Sequence, residues 1–292
     1  MLGKRKDPYG ESVETKHALP RFRSHNPFMF TLGTCLICFG WFAFNGGSTA
    51  SLSIRSIYVV VNTNLAAMGG AAAWGLLDYI YTKKFSLIGI CSGVISGHSF
   101  RTKAYAGLVG ITPAAGFIPV YVAVLVGAVT SVTCFFTAKY KYILRVDEGL
   151  DIFAIHGVGG VMGDILTGFF ASKNVPAMDG ASIGEFEYAG GWWDRHYAQM
   201  GYQLAAALTC AAWSFVISYI LLFVINKIPG CRIRVTEQEE LEGLDELYLE
   251  DGPITGYAPV KSEGPITYHD GVDRISQAGS VLPVEKTEAQ RA

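Results

Sequence analysis

Between Ala198 and Asn226 the chain carries no charged side chain, and most of the stretch is leucine, isoleucine, valine, alanine or aromatic. About 20 consecutive apolar residues suffice to cross the hydrocarbon of a bilayer as a helix. In that medium backbone amides are satisfied only inside helices or closed barrels. This one run therefore selects a membrane fold, and it is not alone. Apolar stretches at 28–50, 54–81, 151–171 and 198–228 each have the length of a span. Only 16% of the residues are charged and mean hydropathy is +0.30, against roughly 25% charged residues in a soluble domain. The expected class is an all-α polytopic membrane protein.

The region 86–136 needs arithmetic. Residues 86–97 are too short to span, and 108–136 are long for one span and short for two. Between them lies the polar insert 98–107, with Arg101 and Lys103. Each would cost about 2.5–3.5 kcal/mol at mid-membrane. If 98–107 are set aside, 86–97 joined to 108–116 make one span and 117–136 another. The two meet at Thr112-Pro113-Ala114-Ala115-Gly116, a helix-ending sequence. The insert is then either an insertion, such as unspliced sequence, or a genuine loop that bulges from the bundle. About six transmembrane helices result.

Six spans put both termini on one side, and lysine and arginine choose the side. Lys4, Arg5, Lys6, Lys16, Arg21 and Arg23 precede the first span. Lys83 and Lys84 follow the second, Lys139, Lys141 and Arg145 the fourth, and Lys227, Arg232 and Arg234 the sixth. Opposite loops hold Arg55, Lys173 and Arg195. Both termini are predicted to be cytoplasmic, around a membrane domain at 28–228. Residues 1–27 form a polar segment without the apolar core of a cleavable signal peptide. The acidic tail 229–292 is expected to be largely disordered apart from a short helix near 237–247. The outer loop 172–197 carries Phe186, Tyr188, Trp192, Trp193 and Tyr197, which reads as an interfacial belt.

A near-neutral net charge of −2 argues against nucleic acid as a partner. Five of the six cysteines lie in apolar runs, so neither a disulfide framework nor a metal site is expected. The pair Cys35 and Cys38 reads as packing residues. Without a phosphate-cradling glycine loop, ATP-driven pumping has no support. No cofactor is predicted, and no nucleophile–base pair or metal set supports an enzyme.

His156 is the one imidazole in the apolar run DIFAIHGVGGVMGDILTGFF. Intramembrane histidines face a bundle interior, a pore or a proton path; the alternative is a packing histidine bonded to a neighbouring helix. Asp151 opens the same run, where a carboxylate caps a helix favourably. Asp164 lies eight residues beyond His156, with no role assigned by sequence. Asn45 and Asn62 sit within spans and are expected to bond across helices. The Gly159–Gly163 and Gly93–Gly97 pairs offer close-packing faces. Phe44 beside Trp41 and Phe42 reads as a core aromatic, and Ser48 as a helix-end residue.

Four segments taken together resemble the ammonium transporter (Amt/Mep/Rh) family: GTCLICFGWFAFNGGS, VNTNLAAMGGA, LVGITPAAGF and DIFAIHGVGGVMGDILTGFF. KRKDPYG and RVTEQEELEGLDE resemble its fungal methylammonium permease branch. The resemblance implies the second half, spans six to eleven, of an inverted-repeat eleven-helix bundle that assembles as a homotrimer in the plasma membrane. The path in such folds lies between the two repeats. It implies ammonium or ammonia as substrate, deprotonated at an outer site and passed through an apolar pore. Residue by residue, His156 matches the second of the family's two pore histidines. Phe44 matches one of two stacked entrance phenylalanines, Ser48 a recruitment hydroxyl, and Asp151 an inner-mouth position. Because only one repeat is matched, a second reading stands beside transport: a truncated or misannotated product that does not transport, or an interaction subunit.

Overall fold

The computed structural model describes residues 27–83, 106–140, 152–179, 188–236 and 239, all within one compact unit, Met1–Glu242. These residues are helical, with no strand among them. Helix α1 is Pro27–Gly47, α2 is Ile54–Thr82, α3 is Ala106–Ile111 and α4 is Val120–Tyr140. A π-helical turn, Phe153–Val158, runs directly into α5, Gly159–Phe170; α6 is Ala198–Ile225. At 1.5 Å per residue, the 21 residues of α4 extend about 31 Å, matching the hydrocarbon thickness.

Among the described residues, three segments are long and apolar enough to cross a membrane: Val120–Tyr140, Phe153–Phe170 and Ala198–Ile225. The predicted count of six is not reached by these residues. The first part of the predicted third span, 86–97, and the Gly93–Gly97 pair lie outside the described residues, as do 98–105 of the insert. Ala106 and Gly107, the last two residues of the predicted insert, are helical and buried as the first residues of α3. The chain then turns through 112–117, the predicted meeting point of two spans, and enters α4.

Helix α2 occupies the middle of the bundle. Val59, Asn62, Ala66, Gly70 and Trp74 recur at spacings of three or four, which puts them on one helix face, and all are buried, as is Thr63 beside Asn62. Val59 and Ala66 meet a core of Ile111, Ala114, Ile118, Val122, Ala123, Val126 and Leu166, while Trp74 packs in a second cluster with Ala106, Cys134 and Phe135. Lipid tails are as apolar as leucine, so helices in a bilayer associate through close packing rather than water exclusion. Gly163 illustrates this: a Cβ there would overlap the backbone of Gly110. Its partner in the predicted close-packing pair, Gly159, faces Cys134 Sγ, 3.0 Å from where a Cβ would stand.

Polar groups tie the same interfaces. Asn45 Nδ2 donates to Thr63 Oγ1 at 3.0 Å, joining α1 to α2. Asn62 Nδ2 donates to the carbonyls of Ala115 (2.7 Å) and Ile118 (3.2 Å), holding the turn after α3. Arg55, counted from sequence as a loop charge, is instead in the first turn of α2 and buried. Its Nε donates to Gly116 O at 2.9 Å, and Nη1 pairs with Asp179 at 3.2 Å. Its guanidinium lies 4.8 Å from the centre of the Phe117 ring.

Helix α6 behaves differently. None of its residues is buried, and Trp213, Phe215 and Tyr219 are all more than half exposed. Its first turn packs on the end of α5, where Met200 Cε stands 3.1 Å from a Cβ position on Gly168. An all-round apolar helix of this length is stable in lipid and not in water. The exposed Trp192, Trp193, Tyr188 and Tyr197 gather at the end of α5, with Trp192 edge-on to Phe169 at 4.7 Å. Phe186 lies outside the described residues.

Candidate functional site

A groove of about 760 Å³ runs between α1 and the π-turn with α5. Leu36, Ile37, Gly40, Trp41 and Phe44 form one side, at the three- and four-residue spacing of a single helix face. His156, Gly160 and Asp164 form the other, each four residues from the next. Val109, Thr112 and Pro113, from α3 and the turn after it, close the base. The lining is overwhelmingly apolar, and among the described residues no lysine or arginine contributes to it.

His156 lies inside the π-turn. A π-turn inserts one residue into a helix and so re-aims the side chains around it by about 100° relative to an uninterrupted helix. Such turns recur at functional sites. Here the His156 ring stacks on Trp41, with centroids 6.3 Å apart and planes 29° apart. Trp41 is itself held: its Nε1 donates to Thr112 Oγ1 at 2.9 Å, and that hydroxyl donates to Leu108 O at 2.8 Å. Behind the turn, Cys134 Sγ approaches Ile155 O at 3.9 Å. Phe44 extends the aromatic wall, edge-on to Trp41 at 6.2 Å.

Two of the sequence-predicted residues, His156 and Phe44, thus share one groove. Ser48 lies one turn beyond Phe44, exposed and off the lining, with its hydroxyl donating to Phe44 O at 2.7 Å. That bond uses its hydrogen and leaves its oxygen lone pairs as acceptors. Asn45 and Asn62 are buried away from the groove in the cross-helix bonds above. Asp151 lies outside the described residues. Sequence reasoning did not single out Trp41, Thr112 or Gly160. Trp41 was within reach, three residues from Phe44 on the same face. Thr112 was not, because its part depends on a contact across 71 residues.

Residues 1–252 match the family model described as Ammonium Transporter Family. The chain belongs to the ammonium transporter family. It is 43% identical to Ammonium transporter 1 of Schizosaccharomyces pombe over 293 residues, covering all of this chain and 54% of that protein. It is 42% identical to Ammonium transporter MEP2 of Saccharomyces cerevisiae, over 84% of this chain and 46% of that one. Among solved structures, the crystal structure of Candida albicans Mep2 aligns with a TM-score of 0.69 at 44% identity, across 82% of this chain and 48% of that chain. This family member spans about half the length of the curated relatives it matches. It is an integral membrane protein of helical fold, and the relatives it matches are named as transporters, not enzymes.

Proposed function

We propose that this chain builds one wall of a transmembrane path for ammonium or ammonia, with His156 at its narrow part. The observation that carries this is the placement of His156 in an apolar groove, stacked on Trp41. A neutral imidazole offers one donor and one acceptor. It can bond ammonia or relay a proton while the apolar surroundings reject hydrated ions through their desolvation cost. Phe44 guards the outer end of the groove. Ser48, whose lone pairs are available, accepts from the cation before deprotonation, helped by the aromatic faces. Asp151 stands at the inner mouth, both termini are cytoplasmic, six helices span the membrane, and three copies assemble in the plasma membrane. The 28–228 domain carries transport, and the tail 229–292 lies outside the path.

The groove is not enclosed: Leu36 and Phe44, which line it, are both more than half exposed. A facing wall completes it, as the twin repeats of such transporters do. The half-length match supports a second reading, a chain that interacts without transporting.

Expression in cells lacking their own permeases, grown on limiting ammonium, separates these. The wild-type chain is expected to support growth. His156→Ala should lower uptake about tenfold or more, the effect of losing one strong hydrogen bond in a desolvated site. Equal growth of His156→Ala would sink the pore role of His156. A wild-type chain that never supports growth sinks autonomous transport and favours the second reading.

Gly160 offers a steric test. A Cβ there meets nothing within 4 Å, so Gly160→Ala should fold and transport normally. Gly160→Leu should fold equally well and fill the groove beside His156, lowering uptake at unchanged expression and melting temperature. Undiminished uptake in Gly160→Leu would show that the substrate goes elsewhere.

A further inference from the structure

Asp164 is a carboxylate in a membrane-spanning segment, and the transport reading gives it no task. It lies on the same stripe as His156, eight residues further along, which is about 12 Å of helix rise. Gly160, between them, leaves the groove unobstructed from one to the other. The Asp164 side chain is half-buried and makes no hydrogen bond or ion pair among the described residues. Among the described residues no lysine or arginine lines the groove, and the buried Arg55 is committed to Asp179 and Gly116. An ionisable group held in an apolar membrane segment is expensive unless something compensates it. Two aromatic rings on the opposite wall, Trp41 and Phe44, add faces that attract a cation.

We propose that Asp164 binds a monovalent cation of ammonium type in the groove, on the α6-facing side of His156 along α5. The passing cation supplies the counter-charge that the described residues of the groove do not, and Asp164 holds it within reach of the two aromatic faces before the path narrows at His156. The inference rests on the transport reading for the identity of the cation, and its test therefore reads binding rather than flux.

The full chain, purified in detergent, is titrated with ammonium chloride against sodium chloride at constant ionic strength, following tryptophan fluorescence. Saturable change is expected in the wild type, since Trp41 lines the same groove. Asp164→Asn, which keeps the shape and removes the charge, should raise the half-saturating ammonium concentration about tenfold, the usual consequence of losing a charge-assisted contact. Asp164→Glu should restore most of the difference. An unchanged midpoint in Asp164→Asn overturns the proposal, and so does a wild type with no saturable response to ammonium. If the charge-dependent binding is present while the wild type fails to support growth, the transport reading falls and this one stands. If growth depends on His156 while binding ignores Asp164, the reverse holds. Melting temperatures of the variants confirm that each is folded.

Discussion

Gly127→Val is expected to destabilise the purified chain by about 3 kcal/mol or more, the upper part of the range for overpacking. Gly127 lies on α4 where it crosses α2, and a Cβ at that position would overlap the Ala66 carbonyl, with the Ala66 carbon 2.7 Å away. The obstacle is backbone, so no side-chain rotation relieves it and the two helices must separate. Separation would loosen the buried stripe Val59, Asn62, Thr63 and Ala66 from Val122, Ala123 and Val126 together. Thermal unfolding in detergent measures it, with Gly160→Ala as the control because that methyl enters open space. If Gly127→Val melts with the wild type, the α2–α4 seam is not set by close backbone approach.

Arg55→Ala is expected to produce the second large loss. Removing one member of a buried ion pair costs about 3–5 kcal/mol, because the other charge stays in a poorly solvated place. Both side chains here are close to 10% exposed or less. The substitution also removes the bond to Gly116 O and the contact with Phe117. Those three contacts bind the start of α2 to the turn after α3 and to the 3-10 turn Pro176–Asp179. Arg55→Lys keeps the charge without the planar fork and should fall between wild type and alanine. The double variant Arg55→Ala with Asp179→Asn should recover part of the loss, because no uncompensated charge remains from the pair. Melting of Arg55→Ala at the wild-type temperature would show the pair to be incidental.

Much of the fold was legible before any tertiary contact was known. Helix bounds of Ile54–Thr82 and Ala198–Ile225 stand close to the apolar runs 54–81 and 198–228. The reason is physical: hydrocarbon demands a fixed length of apolar helix, so span length is written along the chain. Arg55 shows where that logic stops. A charge rule counts it as a loop cation, whereas its neutralising partner lies 124 residues away.

The site divides in the same manner. An imidazole at 156 amid glycine and valine, and a phenylalanine at 44 among aromatics, announced themselves by being out of place or by family resemblance. Their meeting in one groove did not. It depends on the π-turn Phe153–Val158, on the Thr112 hydroxyl that holds Trp41, and on the absence of a side chain at Gly160. No local pattern announces a π-turn, since one inserted residue leaves composition and hydropathy unchanged.

By itself the sequence determined that this chain lives in a bilayer, which stretches are apolar enough to lie within it, and which ionisable groups lie among apolar ones. Transfer free energies are additive along a helix, so composition suffices for those. Only the tertiary structure decided which helices touch and which side chains share a groove, because both turn on long-range approaches such as Gly127 to Ala66 and Trp41 to Thr112. Such contacts are properties of pairs, and a linear sequence does not display them.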